Sequence, residues 1–467
     1  MNQAVDHNQA SDIVKQLTGA LHRLAKSNRD GADEARTVHR LELNLATLDP
    51  LLWLAAQPGE QKFYWRDRNG CRQIACVGAA ATFLSDLPDG KAQALGKATA
   101  LLRHADPNVR LYGGFRFDPL YPHANRDPLW RNFGAALLML PRFELVTDEH
   151  GSRLLCNILG HEIGTSAIDD ILSEVEKLHL EPQETDILLP VLVERTDSPE
   201  RTQWNRQMAQ VMDLLHHGDL EKLVLARRTS LRLNARVNPW HTLCQLRENA
   251  ANCFVFGVQT DSTGAFIGAS PERLYRREDD SIETEAVAGT RPRAQDRQED
   301  GRLAHELTTS YKDRSEHDLV VSGIREALTK ICERFDITAP AAPFKLSAVQ
   351  HLRTLFGGRL KQDVNDAAIL SALHPSPAVG GYPCEKAVSY LHEIESLDRG
   401  WYAGPIGWLG ATNAEFAVGI RSALVHDDRV DLFSGAGVVT GSTSEAEWDE
   451  IENKISPFLQ LFNSGRS

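Results

Sequence analysis

A chain of 467 residues with 42% hydrophobic content can bury a large core in two or three domains, which excludes a disordered chain. A formal charge of −13 and a pI near 5.7 exclude the basic face of a nucleic-acid binder, so an anionic ligand must be met by local donors. The cysteines, Cys71, Cys76, Cys156, Cys244, Cys253, Cys332 and Cys384, form no Cys-x-x-Cys pair and read as free thiols; with no leader and no run near about 18 apolar residues, a soluble cytoplasmic protein is expected.

After a polar start from Met1, apolar residues recur at helical spacing through Ile13, Leu17, Leu21 and Leu24. Between about residues 50 and 190, alternating runs such as Gln61–Trp65 and Arg110–Phe117 predict antiparallel strands, with a helix over Gly90–His104. The charged, proline-containing stretch Glu194–Arg201 is the best internal boundary, dividing 1–195 from 196–467. Beyond it, Thr202–His217 predicts a helix, Lys222–Arg227 a buried strand, and Cys253–Gln259 with Ala265–Ala269 a strand pair. Arg276–Glu285 is expected to hold a turn between strands, Arg293–Gly301 a mobile charged loop and Ala339–Pro343 a connector. Strands interleaved with helices, without a βαβ rhythm, give an α+β fold with large antiparallel sheets.

Two acidic segments, Lys312-Asp-Arg-Ser-Glu-His317 and Glu447-Trp-Asp-Glu-Ile-Glu-Asn-Lys454, have helical spacing. At roughly 100° per residue, Asp313 and Glu316 continue the apolar stripe Val320, Ile324 and Ile331, and Glu447, Glu450 and Lys454 share a face with Ile451, Phe458 and Leu461. Carboxylates on an inward face need a cation, and an all-oxygen donor set favours a hard one such as Mg²⁺. The plainer alternative is two solvated helices with i,i+3 and i,i+4 charge pairs.

Asp431–Gly441 reads as a strand entering a glycine-rich turn, followed by Ser444-x-x-Glu447 as a capping box. The spacing of Gly435, Gly437 and Gly441 does not match a dinucleotide fingerprint; it suits a tight turn, or bare N–H groups that hold a carboxylate. In Gly268-Ala-Ser-Pro-Glu-Arg273, Glu272 follows a strand among small residues, where apolar walls can raise a carboxyl's pKa and make it a general acid. Lys222 opens an apolar strand and is either a desolvated base or a snorkelling strand end. Arg421, on the expected strand Phe416–Ala423, suits a bidentate carboxylate contact or a structural ion pair.

In order along the chain, Lys222-Leu-Val-Leu-Ala-Arg227, Gly268-Ala-Ser-Pro-Glu272, Ala288-Gly-Thr290, Lys312-Asp-Arg-Ser-Glu-His317, His374-Pro-Ser-Pro-Ala378, Gly404-Pro-Ile-Gly-Trp408, Ser434-Gly-Ala-Gly437 and the Glu447 segment resemble the chorismate-utilising enzymes. Within them the set is most similar to the isochorismate-forming members, over about residues 200 to 462. The resemblance implies a fold of packed antiparallel sheets surrounded by helices, with 1–195 a divergent half integrated into it. It also implies a Mg²⁺-dependent, reversible conversion of chorismate to isochorismate. Lys222 would activate water for attack at C2 and Glu272 would protonate the departing C4 hydroxyl. Glu316 and Glu450 would hold the metal with Asp313 and Glu447 behind them, and Gly289, Thr290, Arg421, Gly435 and Lys454 would hold substrate carboxylates beside a wall formed by Tyr402. Ala288, where aminodeoxychorismate-forming relatives often carry lysine, and Lys222, absent from ammonia-using relatives, imply water as nucleophile. Hence no glutamine amidotransferase subunit, nucleic acid or membrane is expected as partner, and the chain should act as a monomer or homodimer. The rival is a salicylate synthase, which shares Lys222 and Glu272 and adds pyruvate elimination; a non-catalytic, chorismate-binding relative is the other alternative.

Overall fold

The computed structural model describes residues 7–27, 37–164, 166–181 and 187–463, so the polar start Met1–Asp6 lies outside the described residues. Among the described residues nineteen strands join one hydrogen-bonded network, and every strand pairing in it is antiparallel. This is the α+β class expected from the irregular alternation of strands and helices.

The ladder does not follow chain order. Strand Lys222–Leu233 lies between Leu192–Ser198 and Arg429–Val438. From there the order runs through Ser422–His426, Gly264–Ser270 and Phe254–Asp261 to Lys62–Arg66 and Gln73–Ser85. It continues through Ala136–Asp148 and Arg110–Phe115 before returning to Pro405–Gly410, Asn413–Val418, Arg273–Glu278, Ser281–Pro292, Val349–Leu360 and Cys332–Lys345. Strands from before residue 150 thus occupy the middle of the ladder. The stretch expected as the best internal boundary overlaps strand Leu192–Ser198, which pairs along Lys222–Leu233.

Two apolar cores form against the sheet. One gathers Phe115, Trp130, Trp204, Phe266, Trp401 and Phe416; the other gathers Leu17, Leu21, Trp53, Phe143, Trp240 and Val425. Helix Ser444–Asn463 enters both, with Ile451 in the first and Ile455, Phe458 and Phe462 in the second. Its position is also fixed by charge. Fully buried Arg227 lies 4.0 Å over the Trp448 ring and donates to Glu452 Oε1 at 2.5 Å, and Arg195 donates to the same oxygen at 2.6 Å. Removing Glu452 would leave Arg227 with Asp197 alone, so Glu452→Ala is expected to cost about 2 kcal/mol in a denaturant melt, the carboxylate being partly exposed.

Local chemistry explains the helix ends. Arg201–His217 stops at Gly218, whose φ of 76° is the left-handed cap expected of glycine. Tyr311–Ile331 starts at Ser310, whose hydroxyl accepts from Asp313 N.

Several expectations are corrected. Arg297–Thr309 is a helix capped by Asp296, and Arg293 is tied to Asp300 at 2.7 Å; the charged composition reflects a helix start and an ion pair, not a mobile loop over 293–301. Ala339–Pro343 lies within strand Cys332–Lys345, which pairs on one side only, where proline's missing N–H is tolerated. The glycines expected in a turn, Gly435 and Gly437, are inside strand Arg429–Val438. Thr443 Oγ1, not Ser444, accepts from Ala446 N at the start of the last helix. The turn expected within Arg276–Glu285 is the two-residue hairpin Asp279-Asp280, with Asp279 at φ 51°. All seven cysteines are unpaired. Among the described residues no helix is long and apolar enough to cross a membrane.

Candidate active site

The ends of these strands and two helices surround a pocket whose empty space, open solvent included, is ≈ 620 Å³. It brings together Lys222, Glu272, Gly289, Thr290, Glu316, Tyr402, Arg421, Gly435, Glu450 and Lys454; Asp313 and Glu447 stay outside the lining.

Lys222, 1% exposed at the start of its strand, places Nζ 2.9 Å from Glu316 Oε1 on helix Tyr311–Ile331. Gly437, on the neighbouring strand opposite Val224, makes room for this pair. A Cβ there would lie 2.4 Å from Glu316 Oε1 and 2.8 Å from Lys222 Cε. Its glycine is needed for close approach rather than for a turn.

Glu272 sits in the short break between strands Gly264–Ser270 and Arg273–Glu278 and is 4% exposed. Burial, reinforced by the charge of Glu285, pushes its carboxyl up to about 8, although Lys222, Arg68 and Lys454 pull the other way. Glu285 is held by Arg68, whose Nη2 also donates to Pro271 O at 2.7 Å, fixing the break that presents Glu272.

Gly289, at φ 73°, forms a bulge inside strand Ser281–Pro292, and a Cβ would meet Asp313 Cβ at 3.2 Å. Its carbonyl accepts from His351 Nδ1 at 2.9 Å, and Arg421 Nη2 lies 3.2 Å from His351 Nε2. Burial, with Arg421 and Lys454 nearby, lowers the His351 pKa to about 3, so the ring is neutral. It therefore carries its proton on Nδ1 and accepts from Arg421 on Nε2. His351 was not singled out in the sequence; a polar residue in the buried run Val349–Leu352 was the available signal. Arg421 lies not on a strand but in the bend before Ser422–His426, at φ 53°, a conformation rare outside glycine. Among the described residues its guanidinium has no carboxylate partner and lines the pocket, as an anion receptor should. Tyr402 stacks on Phe433 at 5.7 Å as one wall, where Gly435 leaves room for the phenol hydroxyl.

The four carboxylates singled out at the site, Asp313, Glu316, Glu447 and Glu450, each hold a cation of the protein. Glu316 pairs with Lys222 at 2.9 Å, Glu450 with Lys454 at 2.6 Å, Glu447 with Lys312 at 2.6 Å and Asp313 with Arg291 at 2.5 Å. Burial and then Glu450 raise the Glu447 carboxyl; burial also pushes that of Glu450 up, but Lys454, helped by Lys312 and His351, brings it down overall. The helices thus carry more negative charge than a dry face tolerates unaided. Among the described residues no group of three or more His, Cys, Asp and Glu is preassembled around an ion position. The donor chemistry fits a hard cation, with Glu316 and Glu450 presented to the pocket once their lysines release them.

A buried proton donor, a lysine and an unpaired arginine in one pocket define an enzyme site for a small anionic molecule. Residues 22–463 match the chorismate binding enzyme family, and the chain belongs to it. It is 34% identical to the chloroplastic isochorismate synthase of Catharanthus roseus, over 83% of this chain and 68% of that protein. It is 33% identical to the isochorismate synthase MenF of Escherichia coli (strain K12), over 88% and 90%. The solved structure of the menaquinone-specific isochorismate synthase MenF from Escherichia coli superposes with a TM-score of 0.83 at 29% identity, covering 96% of this chain and 99% of that one. Anthranilate synthase component I from Streptococcus pneumoniae, at 20% identity and a TM-score of 0.61, shares the fold.

Proposed function

We propose that the protein is an isochorismate synthase that interconverts chorismate and isochorismate. The observation that carries this reading is a proton-bearing Glu272 lining the same pocket as Lys222 and the unpaired Arg421. Water attacks C2 as the C4 hydroxyl departs, and neither event proceeds near neutrality without proton transfer. Lys222 in its neutral amine form, released from Glu316, takes a proton from the incoming water and Glu272 gives one to the leaving hydroxyl, so one water enters, one leaves and the product is an isomer of the substrate. Arg421, Lys454 and the backbone around Gly289, Thr290 and Gly435 hold the substrate carboxylates against Tyr402. Glu316 and Glu450, with Asp313 and Glu447 behind, would hold Mg²⁺, which supplies positive charge for the ring carboxylate. Because the nucleophile is water, no ammonia-supplying subunit is called for.

The test is chromatography and NMR of chorismate incubated with purified protein, with and without Mg²⁺. Isochorismate in equilibrium with chorismate, free of pyruvate and dependent on the metal, is expected; salicylate with pyruvate would reassign the chain to the salicylate synthases.

His351 fixes both Gly289 and Arg421, so His351→Ala is expected to raise KM for chorismate about tenfold, the size of one hydrogen bond to a charged group. Initial rates across chorismate concentrations check this, and a loss confined to kcat would place His351 in the chemistry instead.

A further inference from the structure

Lys312 has no part in the reading above. It lies outside the pocket's lining, yet reaches from helix Tyr311–Ile331 to helix Ser444–Asn463 and donates to Glu447 Oε1 at 2.6 Å. Helix chemistry does not account for it. It stands in the first turn, directly after the Ser310 cap and Tyr311, where the helix dipole favours acids over bases. Nor does it stabilise as an ordinary surface pair, because Glu447 is 1% exposed. Burial disfavours the charge on Lys312, but Glu447, and beyond it Glu316 and Glu450, more than offset this, so the ammonium is bonded to one carboxylate and lies in the field of two more.

We propose that Lys312 is a tethered counter-ion of the cation site: without metal its ammonium neutralises Glu447 beside the metal-holding carboxylates, and a divalent cation held by Glu316 and Glu450 displaces it on binding. The inference rests on the reading of Glu316 and Glu450 as metal holders. Glu447 beside Glu450 would be a buried like-charge pair without some cation nearby, which explains why the chain supplies one. A dication and an ammonium drawn to neighbouring carboxylates repel each other, so occupancy by one disfavours the other. Lys312 is about one-third exposed, so it has a path to water when released. Its cost is a weaker hold on metal alone, and its benefit is that the helices keep their geometry while the metal is absent. It is a positioning residue and touches no reacting atom.

The experiment is titration calorimetry of the full chain with MgCl₂ alone, without chorismate, on the wild type, Lys312→Met, Lys312→Arg and Glu316→Gln. Loss of the competing charge is expected to tighten Mg²⁺ binding about tenfold or more in Lys312→Met, while Lys312→Arg stays near wild type. Equal or weaker binding by Lys312→Met, with Glu316→Gln still weakening it, overturns the counter-ion role and leaves the metal reading standing. Mg²⁺ binding unaffected by Glu316→Gln overturns the metal reading and this inference with it. A second measurement uses the wild type and so survives a variant that fails to fold: acylation of Lys312 by an amine-reactive reagent, followed by mass spectrometry. Reactivity is expected to rise several-fold with saturating Mg²⁺ against NaCl of equal ionic strength, and unchanged labelling overturns the displacement.

Discussion

Glu272→Gln is expected to lower kcat for isochorismate formation by about 10²–10⁴-fold, the usual contribution of a positioned proton donor. Glutamine keeps the size and most of the hydrogen-bonding pattern, so the loss isolates the proton. With its carboxyl pushed up to about 8 by burial and by Glu285, Glu272 is mostly protonated at pH 7 and ready to donate. Activity of the wild type, read as kcat/KM, should therefore fall as pH rises through about 8, and the residual rate of the variant should lack that fall. The same displacement carries a stability signature. The folded state holds this proton more tightly than the unfolded chain, whose carboxyl titrates near 4.5. This contribution is thus fully present below about 4.5 and is lost as pH rises to about 8. Glu272→Gln does not titrate, so its melting temperature relative to wild type should rise between pH 5 and pH 9. A variant within tenfold of wild-type kcat would place the proton donor elsewhere.

Much of this site could be read from the sequence because its parts obey local rules. Lys222 and Glu272 stand at strand ends, where side chains leave the sheet, and the acidic segments keep a helical period that puts Glu447 inside at 1% exposure. Local rules failed where a distant partner decides the geometry. Gly437 looks like a turn glycine until Glu316 and Lys222, more than a hundred residues away, are seen to fill the space its Cβ would take. Arg421 was read on a strand by alternation, but the chain breaks there into a bend with φ 53°. His351 gave no periodic signal because its role lies in two hydrogen bonds to groups 62 and 70 residues away. The order of strands was equally hidden: nothing in Lys62–Arg66 announces pairing with Phe254–Asp261, a strand about 190 residues further along the chain.

Lys222→Met and Lys222→Arg are both expected to lower kcat by about 10³-fold, for one shared reason. Methionine removes the amine and its charge. Arginine keeps a cation able to pair with Glu316 but does not give up its proton at any pH the enzyme meets. If Lys222 serves only as the counter-ion that its 2.9 Å contact with Glu316 displays, arginine should restore most of the rate. If it is the base, arginine should fail as badly as methionine. Steady-state kinetics of the two variants, with Mg²⁺ saturating, separate these cases. The methionine variant also leaves Glu316 without its lysine, so it should bind Mg²⁺ alone more tightly than the arginine variant, whereas their rates stay alike. Such a divergence between metal affinity and turnover would assign the ammonium form of Lys222 to its ion pair with Glu316 and the neutral amine form to water, two protonation states of one side chain.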